Sequence, residues 1–208
     1  YASTDYSADG RVSVLQQATT GNGIDIVLMG DAFSDRLIAD GTYERTMQKA
    51  METFFDQEPY RTYRDMFNVY SVNVVSKNEI YNDVSDTALG SYFGGGTTVG
   101  GNDGTVLQYA QLAIPAERVD EALVIVMMNS DAYAGTCYMY YPTEGDYGNG
   151  ASVAYFPLGS DDTMFAGLLH HEANGHGFAK LGDEYYYEYL GKMPANEMQE
   201  TIRMQGFG

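Results

Sequence analysis

Tryptophan is absent from the 208 residues, cysteine occurs once, proline five times and histidine three times. A single thiol, Cys137, excludes any internal disulfide, so the fold has to rest on its core and not on cross-links. No histidine lies near Cys137 in sequence, which weakens any thiol-nucleophile reading. Basic residues are scarce: 11 Lys and Arg face 29 Asp and Glu, for a formal net charge of -18. So acidic a chain repels phosphate backbones, which argues against nucleic acid as a partner. The charge serves solubility first, and bound cations would offset part of it. Long apolar runs are missing as well. The longest, residues 122–128, has strand length and falls far short of the ~20 residues of a transmembrane span.

The residues that are present describe a folded chain. Apolar residues make up 44% and aromatic residues 13%, while charged residues stop at 19%, the reverse of a disordered composition. Little lysine, much Tyr, Asn, Gly and Asp, and a start at Tyr1 point to a secreted, periplasmic or cell-surface bacterial protein that has lost a leader or a preceding domain.

Residues 1–22 are polar and read as a lead-in segment, with one domain over 23–208. Ile24 to Met29 is a strand candidate closed by Gly30-Asp31, where the aspartate suits a turn. Thr42 to Asp56 reads as a helix, because Met47, Ala50, Met51 and Phe54 recur at helical spacing and Pro59 lies just beyond. Phe67 to Val75 is a β-rich strand. The glycines over 94–104 bracket what reads as a surface loop, since they lack the Lys-Ser/Thr ending of a phosphate cradle. A short helix is expected over Val106 to Ala113 and a central strand over Leu123 to Met128. A Tyr- and Gly-rich excursion fills 130–150, including Tyr133, Tyr138, Tyr140, Tyr141 and Tyr147. Ala151 to Phe156 is a further strand, and a helix over about 162–181 starts at an Asp161 or Asp162 cap. This alternation gives an α/β (α+β) fold, a mixed twisted sheet flanked by helices.

All three histidines fall within seven residues, in His170-His171-Glu172-Ala173-Asn174-Gly175-His176. The segment resembles the zincin signature His-Glu-x-x-His, in which two ligands stand one helical turn apart and the intervening glutamate activates a water. Here the pair His171 and His176 is five residues apart, which on a regular helix is an offset of about 140° at about 100° per residue. One π-type turn would return both to one face. His170 with Asn174 keeps regular spacing but is a poorer ligand set. The third ligand is expected from Asp183 or Glu184, reached after a turn that Gly177 and Gly182 permit. Zincins whose third ligand follows the helix closely favour Asp183.

Beyond the helix, Ile24 to Phe33 with its Gly30-Asp31-Ala32-Phe33 turn, Glu58-Pro59-Tyr60, Phe67-Asn68-Val69-Tyr70, Val124 to Ser130 with Tyr133-Ala134-Gly135, and Leu181-Gly182-Asp183-Glu184-Tyr185 resemble the IgA-peptidase family of bacterial zinc metallopeptidases. The resemblance covers about residues 24 to 187 and implies a zincin-like catalytic domain, export and endopeptidase activity on protein or peptide substrates. It implies one Zn2+ ion, held by His171, His176 and Asp183 or Glu184, with Glu172 as general base. The strand 151–156 is a candidate edge for pairing with an extended peptide. Tyr185 is close enough to assist an oxyanion, although packing is the better reading of Tyr185-Tyr186-Tyr187. Two other classes stay open: a non-catalytic binding module on the same fold, and a zinc amidase of cell-wall amides.

Overall fold

The structure, a computed structural model, describes residues 1–82, 84–140, 150–183 and 191–204. Among these residues, eight strands and six α-helices follow in chain order: β1 (Val12–Gln16), β2 (Ile24–Asp31), α1 (Asp35–Ala39), α2 (Thr42–Phe54), β3 (Phe67–Val72), β4 (Tyr92–Gly95), β5 (Thr98–Gly100), α3 (Asp103–Ala110), α4 (Ala116–Val119), β6 (Leu123–Met128), β7 (Thr136–Met139), β8 (Ser152–Pro157), α5 (Asp162–Leu169) and, after a π-helix at His170–Phe178, α6 (Ala195–Met204). No helix among the described residues is long and apolar enough to cross a membrane.

Six strands make one mixed sheet in the order β1-β3-β2-β6-β8-β7. The four central strands run parallel, and the two edge strands, β1 and β7, run antiparallel to their neighbours. Parallel strands covered on both faces need apolar side chains on both. Accordingly Ile26 and Leu28 of β2 enter one core while Val27 and Met29 enter the other. β6 and β8 divide their side chains in the same way. On the first face lie α2, α5 and the π-helix, and α3 and α4 contribute Val106, Ala110 and Val119 to the second. The expected α/β class, with a mixed sheet flanked by helices, is the observed one.

α2 buries Met47, Ala50, Met51 and Phe54, the stripe its spacing announced. Tyr43 fixes its start: its hydroxyl donates to Val72 O at 2.6 Å and accepts from Gly30 N at 2.8 Å. Gly30 has to be glycine, because a Cβ there would sit 2.7 Å from the Phe33 ring.

Four expectations need correction. Within residues 1–22, read as a lead-in segment, residues 12–16 are the sheet strand β1. The glycine-rich stretch after Tyr92 is not a plain surface loop but the hairpin β4–β5, whose turn uses Gly95 (φ 98°) and Gly96 (φ 59°) in the left-handed region. The strand at 151–156 is not an edge: β8 is buried and paired on both sides, and the edge is β7, a four-residue strand inside the tyrosine- and glycine-rich excursion and too short to announce itself. Asp31 does more than make a turn. Fully buried, it accepts from Ser76 Oγ (2.8 Å), Leu89 N (3.1 Å), Ser91 N (3.0 Å) and Ser91 Oγ, so it organises the long connection from β3 to β4.

Removing that carboxylate leaves several buried donors unpaired, each costing about 1–3 kcal/mol. Asp31→Ala should therefore lower the unfolding free energy by about 3 kcal/mol or more, read as a lower urea midpoint at an unchanged slope.

Candidate metal centre

The histidine-bearing helix begins as expected and then changes character. Asp161 caps it, with Oδ1 accepting from Met164 N at 2.8 Å. α5 then runs to Leu169, and His170–Phe178 continues as a π-helix. Where one π-type turn was expected, the i→i+5 form extends over nine residues. Such a turn returns residues five apart to one face, so His171 and His176 project together.

Neighbouring elements hold this wide helix. Tyr60 Oη donates to Asn174 O at 2.7 Å, and Asn174 Nδ2 donates to Phe54 O at 3.1 Å. His170 Nε2 lies 3.0 Å from Thr53 O and 2.9 Å from Asp56 Oδ1, so this histidine ties the helix to the end of α2 and faces away from the other two. The chain then reverses at Lys180 (φ 57°), with Leu181 N donating to Gly175 O at 3.0 Å. The turn expected at Gly177 and Gly182 is thus made by Lys180. Gly177 serves packing instead. A Cβ there would meet Leu123 Cδ1 at 2.6 Å, so glycine lets the π-helix lie against β6.

The reversal brings Asp183 to the histidines. His171 Nε2 and His176 Nε2 are 3.0 Å apart, and Asp183 Oδ1 lies 3.2 Å from the first and 3.1 Å from the second. These are the three residues among those described whose ligand atoms converge closely enough to hold a metal. Glu184 lies outside the described residues, as do Tyr141, Tyr147 and Tyr185–Tyr187. The donor set fits a cation. His176 Nδ1 is 2.6 Å from Leu181 O, a carbonyl that only accepts, so Nδ1 carries the proton and Nε2 presents a lone pair. That lone pair faces a carboxylate oxygen and a second imidazole nitrogen, an arrangement a cation relieves. Bonds of about 2.0–2.1 Å in tetrahedral geometry separate ligand atoms by about 3.3 Å, close to the spacing found.

Beside this triangle sits Glu172, 5% exposed. Its Oε1 is 4.0 Å from His171 Nε2, and it accepts no hydrogen bond from the described residues. Burial, aided by Asp183 and opposed by His176, pushes its carboxyl up to about 7. The notch it occupies is made by Gly135, where a Cβ would stand 2.3 Å from Oε1. Gly135 N donates to Thr97 O at 3.0 Å, so the tip of the β4–β5 hairpin holds the notch in place. The sequence offered no sign of this role, because it comes from a close approach between segments far apart in the chain. Cys137 and Met139 of the edge strand β7 line the same cavity, of about 320 Å³. Burial raises the Cys137 thiol to about 12, which keeps it protonated and inert as a nucleophile.

The chain matches the family described as IgA Peptidase M64 over residues 12–204. It belongs to that family. Membership makes the chain a peptidase acting on protein or peptide substrates, in a family that implies a metal, and it extends the resemblance seen in the motifs to nearly the whole chain. No curated protein matches it.

Two outcomes follow from the geometry of Glu172. Gly135→Ala would displace the carboxylate by an ångström or more, and kcat should fall about 100-fold with bound metal unchanged. In metal-free protein the raised carboxyl binds its proton more tightly when folded, so stability falls as pH climbs from about 4.5 towards about 7 and stays low above it. Glu172→Gln should remove that dependence and stabilise the chelated protein by about 1–3 kcal/mol at pH 8, with little change at pH 4, in urea melts.

Proposed function

We propose that this chain is a zinc-dependent endopeptidase in which His171, His176 and Asp183 hold one ion and Glu172 is the general base. The observation that carries the reading is the convergence of three ligand atoms at 3.0–3.2 Å beside a buried carboxylate that accepts no hydrogen bond from the described residues. Two imidazoles with one carboxylate suit zinc among the common divalent ions. Zinc held by these three residues would supply Lewis acidity, lowering the pKa of a water and stabilising negative charge on the carbonyl oxygen.

The protein's residues do the rest. Glu172, held in the Gly135 notch, takes the proton of the attacking water and passes it to the leaving amine. Leu181 O fixes the His176 ring, so the ligand keeps its tautomer and direction. β7, the outermost strand of the sheet among the described residues, lines the cavity through Cys137 and Met139, and an extended peptide lying in the cavity would run beside it. This edge replaces the one first expected at 151–156. We further propose that residues 23–208 form the catalytic domain together with β1, and that the protein works outside the cytoplasm. Its scarce lysine and abundant Tyr, Asn, Gly and Asp support that placement.

The test pairs metal analysis with hydrolysis. Wild type and Glu172→Ala should each bind about one zinc per chain, and only wild type should cleave casein, with a loss of at least about 1,000-fold in the variant. His171→Ala should lose both metal and activity. Zinc retained without hydrolysis of any protein would favour the binding-module reading, and hydrolysis unaffected by Glu172→Ala would remove the assigned base.

A further inference from the structure

Two cavities meet at Glu172. One contains the ligand cluster. The other, about 670 Å³, shares Thr97, Gly135, His171 and Glu172 with it but is not lined by His176 or Asp183; it runs along the first turns of α5. Its walls are mostly apolar: Met164 and Leu168 from α5, Ala134 and Tyr133 from the loop before β7. Asp161 and Thr163 stand at the exposed start of the helix. Gly167 occupies the place four residues before His171, on the face that lines the cavity, and a Cβ built there would meet nothing within 4 Å. Glycine in a helix interior is unfavourable. Neither a positive φ nor a tight contact explains it here, in contrast to Gly135 and Gly177. What it leaves is space.

We propose that this cavity receives the substrate side chain immediately after the cut bond, that it selects a large apolar side chain, and that Gly167 sets its depth. The inference rests on the reading of the site as a peptidase centre with Glu172 as base. Glu172 must deliver a proton to the leaving amine, so the residue supplying that amine lies against Glu172. Its side chain then points into the cavity on the side of Glu172 remote from His176 and Asp183. The size lies within the range of ligand pockets and exceeds any single side chain. Apolar walls reward a Phe, Leu or Met there through buried area. Asp161 at the mouth, in a chain of net charge -18, repels Asp and Glu.

The experiment measures kcat/KM for zinc-loaded full-length chain on a peptide series that varies only the residue after the cut. Wild type should cleave before Phe, Leu or Met at least about 10-fold faster than before Ala, and before Asp or Glu slower still. Gly167→Leu narrows the cavity on its helix wall and should lower the Phe-to-Ala ratio of kcat/KM at least about 10-fold at unchanged zinc content. Gly167→Ala, which a helix favours, should lower the ratio by less, in the same direction, and stands in if the leucine variant misfolds. Cleavage by wild type without preference at that position, or a ratio unmoved in both variants, would overturn the inference and leave the peptidase reading intact. No zinc-dependent cleavage of any peptide or protein would overturn both.

Discussion

Two imidazoles can share one ion when their ring nitrogens come within about 3 Å, and a helix that closes i→i+4 cannot do this for residues five apart. The i→i+5 bonding of residues 170–178 resolves the conflict, and much of the neighbouring sequence reads as its support. A wide helix packs poorly by itself, so others hold it: Tyr60 and Phe54 grip Asn174, Thr53 and Asp56 grip His170, and Gly177 lets the backbone press against β6. The left-handed residue Lys180 then ends the helix, places Leu181 O on His176, and returns Asp183 to the pair it completes. The first histidine of the triplet is thus structural, and the other two face the cavity.

The same region carries a charge where folding alone would avoid one. Glu172 is buried without a hydrogen-bond donor among the described residues, an arrangement that costs stability in the metal-free protein and that a cation held by the neighbouring ligands would offset. Asp31 is the opposite case. It too is a buried carboxylate, but four donors satisfy it, and it holds the connection that leads into the β4–β5 hairpin. The hairpin in turn fixes Gly135, and Gly135 leaves room for Glu172. A structural carboxylate and a chemical one are therefore linked through the loops above the sheet.

The sequence carried the central strands and α2 well, because buried parallel strands are continuously apolar and the α2 stripe repeats at helical spacing. It carried the histidine cluster too, since three histidines in seven residues stand out in a chain with no others. It said little about β1, β4, β5 and β7, which are only three to five residues long and lie at edges or in a separate hairpin, too short for a period-2 pattern to show. Mistaking β8 for the edge follows from this, since an unrecognised neighbour leaves the previous strand looking terminal. Gly135 and Gly167 lay beyond the reach of pattern, because one is defined by what approaches it and the other by the space beside it.

The most direct test of the central claim is anomalous diffraction at the zinc edge from crystals of the zinc-loaded protein. The account predicts one peak within about 2.1 Å of His171 Nε2, His176 Nε2 and an Asp183 oxygen, with residues 170–178 still in the i→i+5 form. A peak bound through Glu184, His170 or Cys137 instead, or no peak between the two histidines, would contradict it.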